Sequence, residues 1–137
     1  MDKHALRRLA LSLENVTEKD DTSFEFRRDG RLFVHPYPER IAPKKPRVLR
    51  YDQFCFRVAS ADDKEALVIG EPEVFFTTEH YDGWASIIVR LDLIDEERLR
   101  ELLEDAWQAA PLSSKVQSGL PRQFTGNGPG NRQEVVK

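Results

Sequence analysis

Twice along this chain an Asp-Gly pair interrupts two runs of alternating apolar residues, and that pattern limits the possible folds more than any other feature of the sequence. Asp-Gly readily supplies the positive φ angles of a two-residue hairpin turn, and period-two alternation gives a strand one buried face. The first instance, "TSFEFRRDGRLFVHP" over residues 22–36, sets Phe26 opposite Phe33 and Phe24 opposite His35. The second, "EVFFTTEHYDGWASIIVRLD" over 73–92, pairs Tyr81 with Trp84, Thr78 with Ile87, Phe76 with Val89 and Val74 with Leu91. In that register Val74, Phe76, Ile87, Val89 and Leu91 share a core face. Phe75, Thr77, Tyr81, Trp84, Ile88 and Arg90 share the other, which is unusually apolar for a face left to solvent.

Three helices frame these strands. "DKHALRRLALSLENV" spaces Ala5, Leu6, Leu9, Ala10 and Leu13 along one helical stripe that ends near Asn15. "SADDKEALVIGEP" opens with Ser60 and Asp63 at capping-box spacing and closes at Gly70 before Pro72. "DEERLRELLEDAWQAAP" caps at Asp95, repeats Leu99, Leu102, Leu103, Ala106, Trp107 and Ala110, and stops at Pro111. Pro36, Pro38, Pro43 and Pro46 deny regular ladder bonding and predict a loop over 36–46, after which "RVLRYDQFCFRVA" resumes strand character. The resulting order, α-β(3)-α-β(2)-α, implies an α+β two-layer sandwich: an antiparallel sheet of about five strands with three helices on one side.

At 137 residues the chain accommodates one ordinary domain, placed at 1–112. Residues 113–137, rich in Ser, Gly, Pro, Gln and Asn, read as a flexible polar tail. No run is long and apolar enough to span a bilayer and no signal-peptide layout opens the chain, so a cytoplasmic location is expected. The lone Cys55 has no disulfide partner and reads as a buried strand residue. His4, His35 and His80 lie in different elements, so neither a metal site nor a cofactor is expected. In "EHYDGW", His80 and Asp82 could be arranged as base and orienting acid. The turn already requires Asp82, however, and a structural hairpin is the preferred reading.

Charge is unevenly distributed, with a net +6 over 27–57 and −10 over 58–110. The basic run "PKKPRVLRYDQFCFRV" offers Lys44, Lys45, Arg47, Arg50 and Arg57 as phosphate contacts, which give affinity without sequence reading. The competing reading is a solvated lip balanced by the acidic half. The aromatic outer face, with Phe75, Tyr81, Trp84 and Ile88, offers instead a surface for a protein partner or a second copy, unless other segments cover it.

The segment over 72–111 carries a resemblance. "FFTTEHYDGW", the "VRL" strand and the helix end "AW" followed by Pro111 resemble the MmcQ/YjbR-like family of small bacterial proteins. Upstream, "ALSLENVTE", "DGRLF" and "FCFRVAS" agree more loosely. The resemblance implies the secretion-chaperone-like α+β fold, no shared catalytic residues and, for many members, a DNA-binding label. The expectation is therefore a non-enzymatic protein that binds double-stranded DNA weakly and largely independently of sequence. The alternative is an interaction module using the exposed sheet face. The proline-rich basic loop and the polar tail depart from the family pattern.

Overall fold

The computed structural model describes residues 1–113 and residue 115. The expected flexible tail over 116–137 lies outside the described residues. Helix α1 (Lys3–Leu11) leads into strands β1 (Val16–Glu18), β2 (Phe26–Arg28), β3 (Arg31–Glu39) and β4 (Val48–Arg57), and then into α2 (Ala61–Gly70). Strands β5 (Phe75–Phe76) and β6 (Ser86–Arg90) and helix α3 (Glu96–Ala109) follow. All six strands belong to one antiparallel sheet in the order β1-β2-β3-β4-β6-β5. The architecture is α+β as expected, with one more strand than anticipated, since the short β1 pairs with β2 ahead of the first hairpin.

The helix starts follow from their caps. Asp2 accepts from the Ala5 N–H at 2.9 Å, Ser60 Oγ from Asp63 N–H at 3.1 Å, and Asp95 from Arg98 N–H at 2.9 Å. Each satisfies a donor that a helix N-terminus leaves without a partner. The apolar stripes of α1 (Leu6, Leu9, Ala10) and α3 (Leu99, Leu102, Leu103, Ala106) pack onto one sheet face with Phe26, Phe33, Phe54, Phe56, Phe75, Ile87 and Val89. Full burial of each such large side chain stabilises the fold by about 1.5–3 kcal/mol.

Both hairpin registers differ from expectation. Asp29 and Gly30 do adopt positive φ (50° and 83°), and Arg28 faces Arg31 and Arg27 faces Leu32. A bulge then shifts Phe26 from Phe33 to Val34, and Phe24 leaves the ladder with φ 55°. In the second hairpin the turn at Asp82-Gly83 closes as expected, with Trp84 N–H donating to Tyr81 O at 3.0 Å, but Asp82 is right-handed (φ −58°) and a 3₁₀ turn over Glu79–Tyr81 is inserted ahead of it. Phe75 therefore pairs with Val89 and Phe76 with Ile88, one residue off the expected register. A one-residue slip exchanges the faces of a strand, so Phe75 turns into the helix-covered core and Phe76 turns away from it.

The prolines do not end the strand. β3 runs through Pro36 and Pro38 to Glu39, and the loop is confined to residues 40–47. β2 pairs with β3 only as far as Val34, so the edge beyond it is open. Two prolines two residues apart lose their donors on the same edge, where the ladder asks for none.

Candidate nucleic-acid interface

β3 and β4 outrun their neighbours. β6 pairs with β4 only from Gln53 onward, so the hairpin beyond Pro36 and Gln53 continues as a two-stranded arm. The register slips by three residues between Pro36↔Phe54 and Tyr37↔Arg50, so Tyr51, Asp52 and Gln53 bulge out and re-aim the arm. Its rungs are Tyr37↔Arg50, Pro38↔Leu49 and Glu39↔Val48. At the tip Lys45 N–H donates to Ala42 O at 3.2 Å, closing a turn with Pro43 second and Lys44 third, and Lys44 has φ 66°. That is the type II pattern, in which the third position asks for a glycine.

Lys44, Lys45 and Arg40 are exposed at this tip. Among the described residues they take part in no ion pair. Arg47 donates to Pro38 O at 3.1 Å across the arm and is likewise unpaired there. Arg50 is neutralised, donating to Glu39 at 2.8 Å and lying 3.5 Å from Asp52. Between the cations stand Ile41, Val48 and Leu49, exposed by 59%, 46% and 49%. The sequence pattern does not mark them, because a β-period cannot show exposure where the strand has no layer above it.

Arg57 belongs elsewhere. Its guanidinium donates to the carbonyls of Leu112 at 2.7 Å and Ser113 at 3.1 Å, with longer bonds to Ala109 and Ala110. Arg28 donates to Trp107 O at 2.8 Å while stacking 3.7 Å from the Trp107 ring, and Arg31 donates to Pro111 O at 3.2 Å. These three cations meet the carbonyl end of α3, where backbone dipoles leave partial negative charge. Burial holds the Arg57 guanidinium below its ordinary pKa, with Arg31 adding to the effect. Arg57 is thus corrected from a surface phosphate contact to a helix cap, and the cations of 27–57 divide between two ends of the sheet.

The outer sheet face is not the open aromatic surface expected. Phe75 is 0% exposed in the main core, and Ile88 is 0% exposed in a second cluster with Tyr37, Cys55 and Tyr81. Only Trp84 of the four expected interface residues reaches solvent, at 40%, with the Lys115 ammonium 5.5 Å from its ring. The cover is the loop between β5 and β6, drawn down by Lys64 of α2. Its buried Nζ donates to Tyr81 O at 2.5 Å and Trp84 O at 3.0 Å. Desolvation lowers the Lys64 pKa, opposed by Asp82. Tyr81 O also accepts the Trp84 N–H at 3.0 Å, so the lysine and the turn share that carbonyl.

Inside the second cluster, burial pushes the Cys55 thiol up to about 12. The Tyr81 phenol is raised by the same cause, with Cys55 contributing. Such a thiol is protonated and a poor nucleophile at neutral pH. His35, half-buried with Nδ1 2.9 Å from Pro36 O, is lowered by desolvation. His80 packs edge-on against Tyr81 at 4.9 Å. Among the described residues no group of three or more His, Cys, Asp or Glu is placed to hold a metal ion, and no helix is long and apolar enough to cross a membrane.

Fold and arm together define a single-sheet α+β domain with a basic β-ribbon projecting from one end. The YjbR family model matches residues 11–109, well over half of the chain, and the chain belongs to that family. Similar proteins include the uncharacterized proteins Rv2570 of Mycobacterium tuberculosis and Mb2600 of Mycobacterium bovis. Each is 41% identical over 64 residues, which cover 47% of this chain and 50% of the relative. The chain thus spans about half the length of the curated relatives it matches. No solved structure matches it significantly.

Proposed function

We propose that this protein binds double-stranded DNA weakly and without reading sequence, laying the arm over residues 38–50 against the phosphate backbone. The observation that carries this reading is the arm tip, where Arg40, Lys44, Lys45 and Arg47 stand without an acidic partner among the described residues. Elsewhere in the basic segment, Arg50 is paired with carboxylates and Arg28, Arg31 and Arg57 cap a helix. A two-stranded ribbon is narrow enough to enter a major groove, and unpaired cations on it displace condensed counterions. The acidic helices α2 and α3 repel the same polyanion, which restricts productive approach to the arm. Nothing in this reading calls for catalysis; the protein acts by binding.

The test is fluorescence anisotropy of a labelled duplex between about 50 and 200 mM salt. Four phosphate contacts give a slope of log affinity against log salt of roughly −3.6, and dissociation constants near about 10⁻⁴ to 10⁻⁶ M at physiological salt. Replacing Arg40, Lys44, Lys45 and Arg47 by Ser flattens that slope to near zero. Failure of the wild-type protein to bind at low salt overturns the reading.

A second reading has its own observation. Ile41, Val48 and Leu49 are exposed on the same arm, and apolar side chains on a projecting ribbon suit a protein partner or a second copy of the chain. In that case Leu49→Ser abolishes self-association in sedimentation while leaving the salt slope on DNA unchanged.

A further inference from the structure

A cleft of about 550 Å³ opens between α2 and α3, away from the arm. Its floor is apolar, made by Phe56, Ile87 and Leu102, all buried, and its size falls in the range that holds small molecules. Asp63 of α2 and Asp105 of α3 line it, are exposed, and form no ion pair among the described residues. The cations that also line the cleft are already engaged. Arg98 is bound to Glu71 at 2.7 Å and Glu101 at 3.2 Å, and Arg57 caps α3. The charge left open is therefore anionic, over a greasy floor.

One further observation agrees with this. The Asp105 carboxyl is held above its ordinary 3.8 by partial burial first, then by Glu104 and Glu101, with Arg98 opposing and Asp63 adding to the rise. A cation placed there relieves that repulsion.

We propose that this cleft binds a small organic amine. Its ammonium group meets Asp63 and Asp105, and its apolar or aromatic body lies on Phe56 and Ile87. The site is independent of DNA binding, since a polyanion is repelled by these carboxylates.

The probe is 5-methoxytryptamine, titrated into the full chain by calorimetry or two-dimensional NMR. 5-Methoxyindole-3-acetate serves as a control of like shape and opposite charge. The amine binds saturably and the acid does not. Asp63→Asn with Asp105→Asn lowers affinity about three- to tenfold, the range for two exposed charge contacts. Ala66→Trp, on the exposed wall, fills the cleft and abolishes binding while the thermal midpoint stays in place. The proposal is overturned if the amine shows no saturable binding up to about 10 mM, beyond which affinity carries little specificity. Equal binding of the acid, or unchanged binding by the Asn pair, overturns it too.

Discussion

Lys44 occupies a backbone position that costs a non-glycine residue about 1 kcal/mol or more, and its side chain reaches only solvent. Strain held at an exposed cation points to use of the cation rather than of the turn. Lys44→Gly is therefore expected to leave stability unchanged or raise it by up to about 1 kcal/mol, while flattening the salt slope on DNA by about 0.9. Urea titration and anisotropy on the same sample check both halves, and an unchanged slope would remove Lys44 from the interface. Lys64 is the opposite case, a cation withdrawn from water to hold the carbonyls of Tyr81 and Trp84. Lys64→Met keeps much of the volume but takes the ammonium donor from both carbonyls, leaving Tyr81 O with only the Trp84 N–H. A loss of about 2–4 kcal/mol is expected in urea titration, with faster amide exchange across residues 77–85. A gain in stability instead would show that desolvating the ammonium outweighs its two hydrogen bonds.

At the scale of elements, α3 is fixed at both ends by charge, by Asp95 at its start and by Arg28, Arg31 and Arg57 at its finish. Arg57→Ala removes donors from four carbonyls and is expected to cost about 2–4 kcal/mol in urea titration, with the DNA salt slope unchanged. A flattened slope with intact stability would return Arg57 to the nucleic-acid surface. What the sequence makes legible at this scale is local. The caps Ser60 and Asp95, the stripes of α1 and α3 and the Asp29-Gly30 turn are each written within a few residues, and all of them form. The hairpin registers are not legible, because a bulge after Phe26 and a 3₁₀ turn inserted over Glu79–Tyr81 accompany the shifts, and neither leaves a periodic trace. The same limit explains the site: Lys44 and Lys45 stand exposed as read, whereas Arg57 meets its partners 52 to 56 residues away. For Phe75, one step of register separates the expected face from the one it occupies.

For the molecule as a whole, the arm and the core are nearly separable. Core packing on the helix side reaches Tyr51, which lies 5.7 Å from the Phe24 ring, and the second cluster reaches Tyr37, 5.8 Å from Phe76. Beyond those two tyrosines only the rungs Pro38↔Leu49 and Glu39↔Val48 and the loop remain, and they carry Arg40, Lys44, Lys45 and Arg47 without an ion-pair partner among the described residues, in a chain whose net charge is −3. A net anion binds DNA only if its cations are presented away from its acids, and a projecting ribbon does that without disturbing the core. Replacing residues 40–47 by Asn-Gly closes Glu39 and Val48 with a two-residue turn suited to a hairpin. The shortened protein is expected to unfold cooperatively, with a urea midpoint close to wild type. A shorter closed loop recovers roughly 1 kcal/mol of chain entropy, which offsets the little packing that the exposed loop supplies. It removes Arg40, Lys44, Lys45 and Arg47 together, so DNA binding falls below detection at about 50 mM salt, where phosphate contacts are strongest. Binding of 5-methoxytryptamine in the α2–α3 cleft persists, which shows that the loss is specific to the arm. A shortened protein that folds and still binds duplex with the wild-type salt slope would move the interface off the arm altogether.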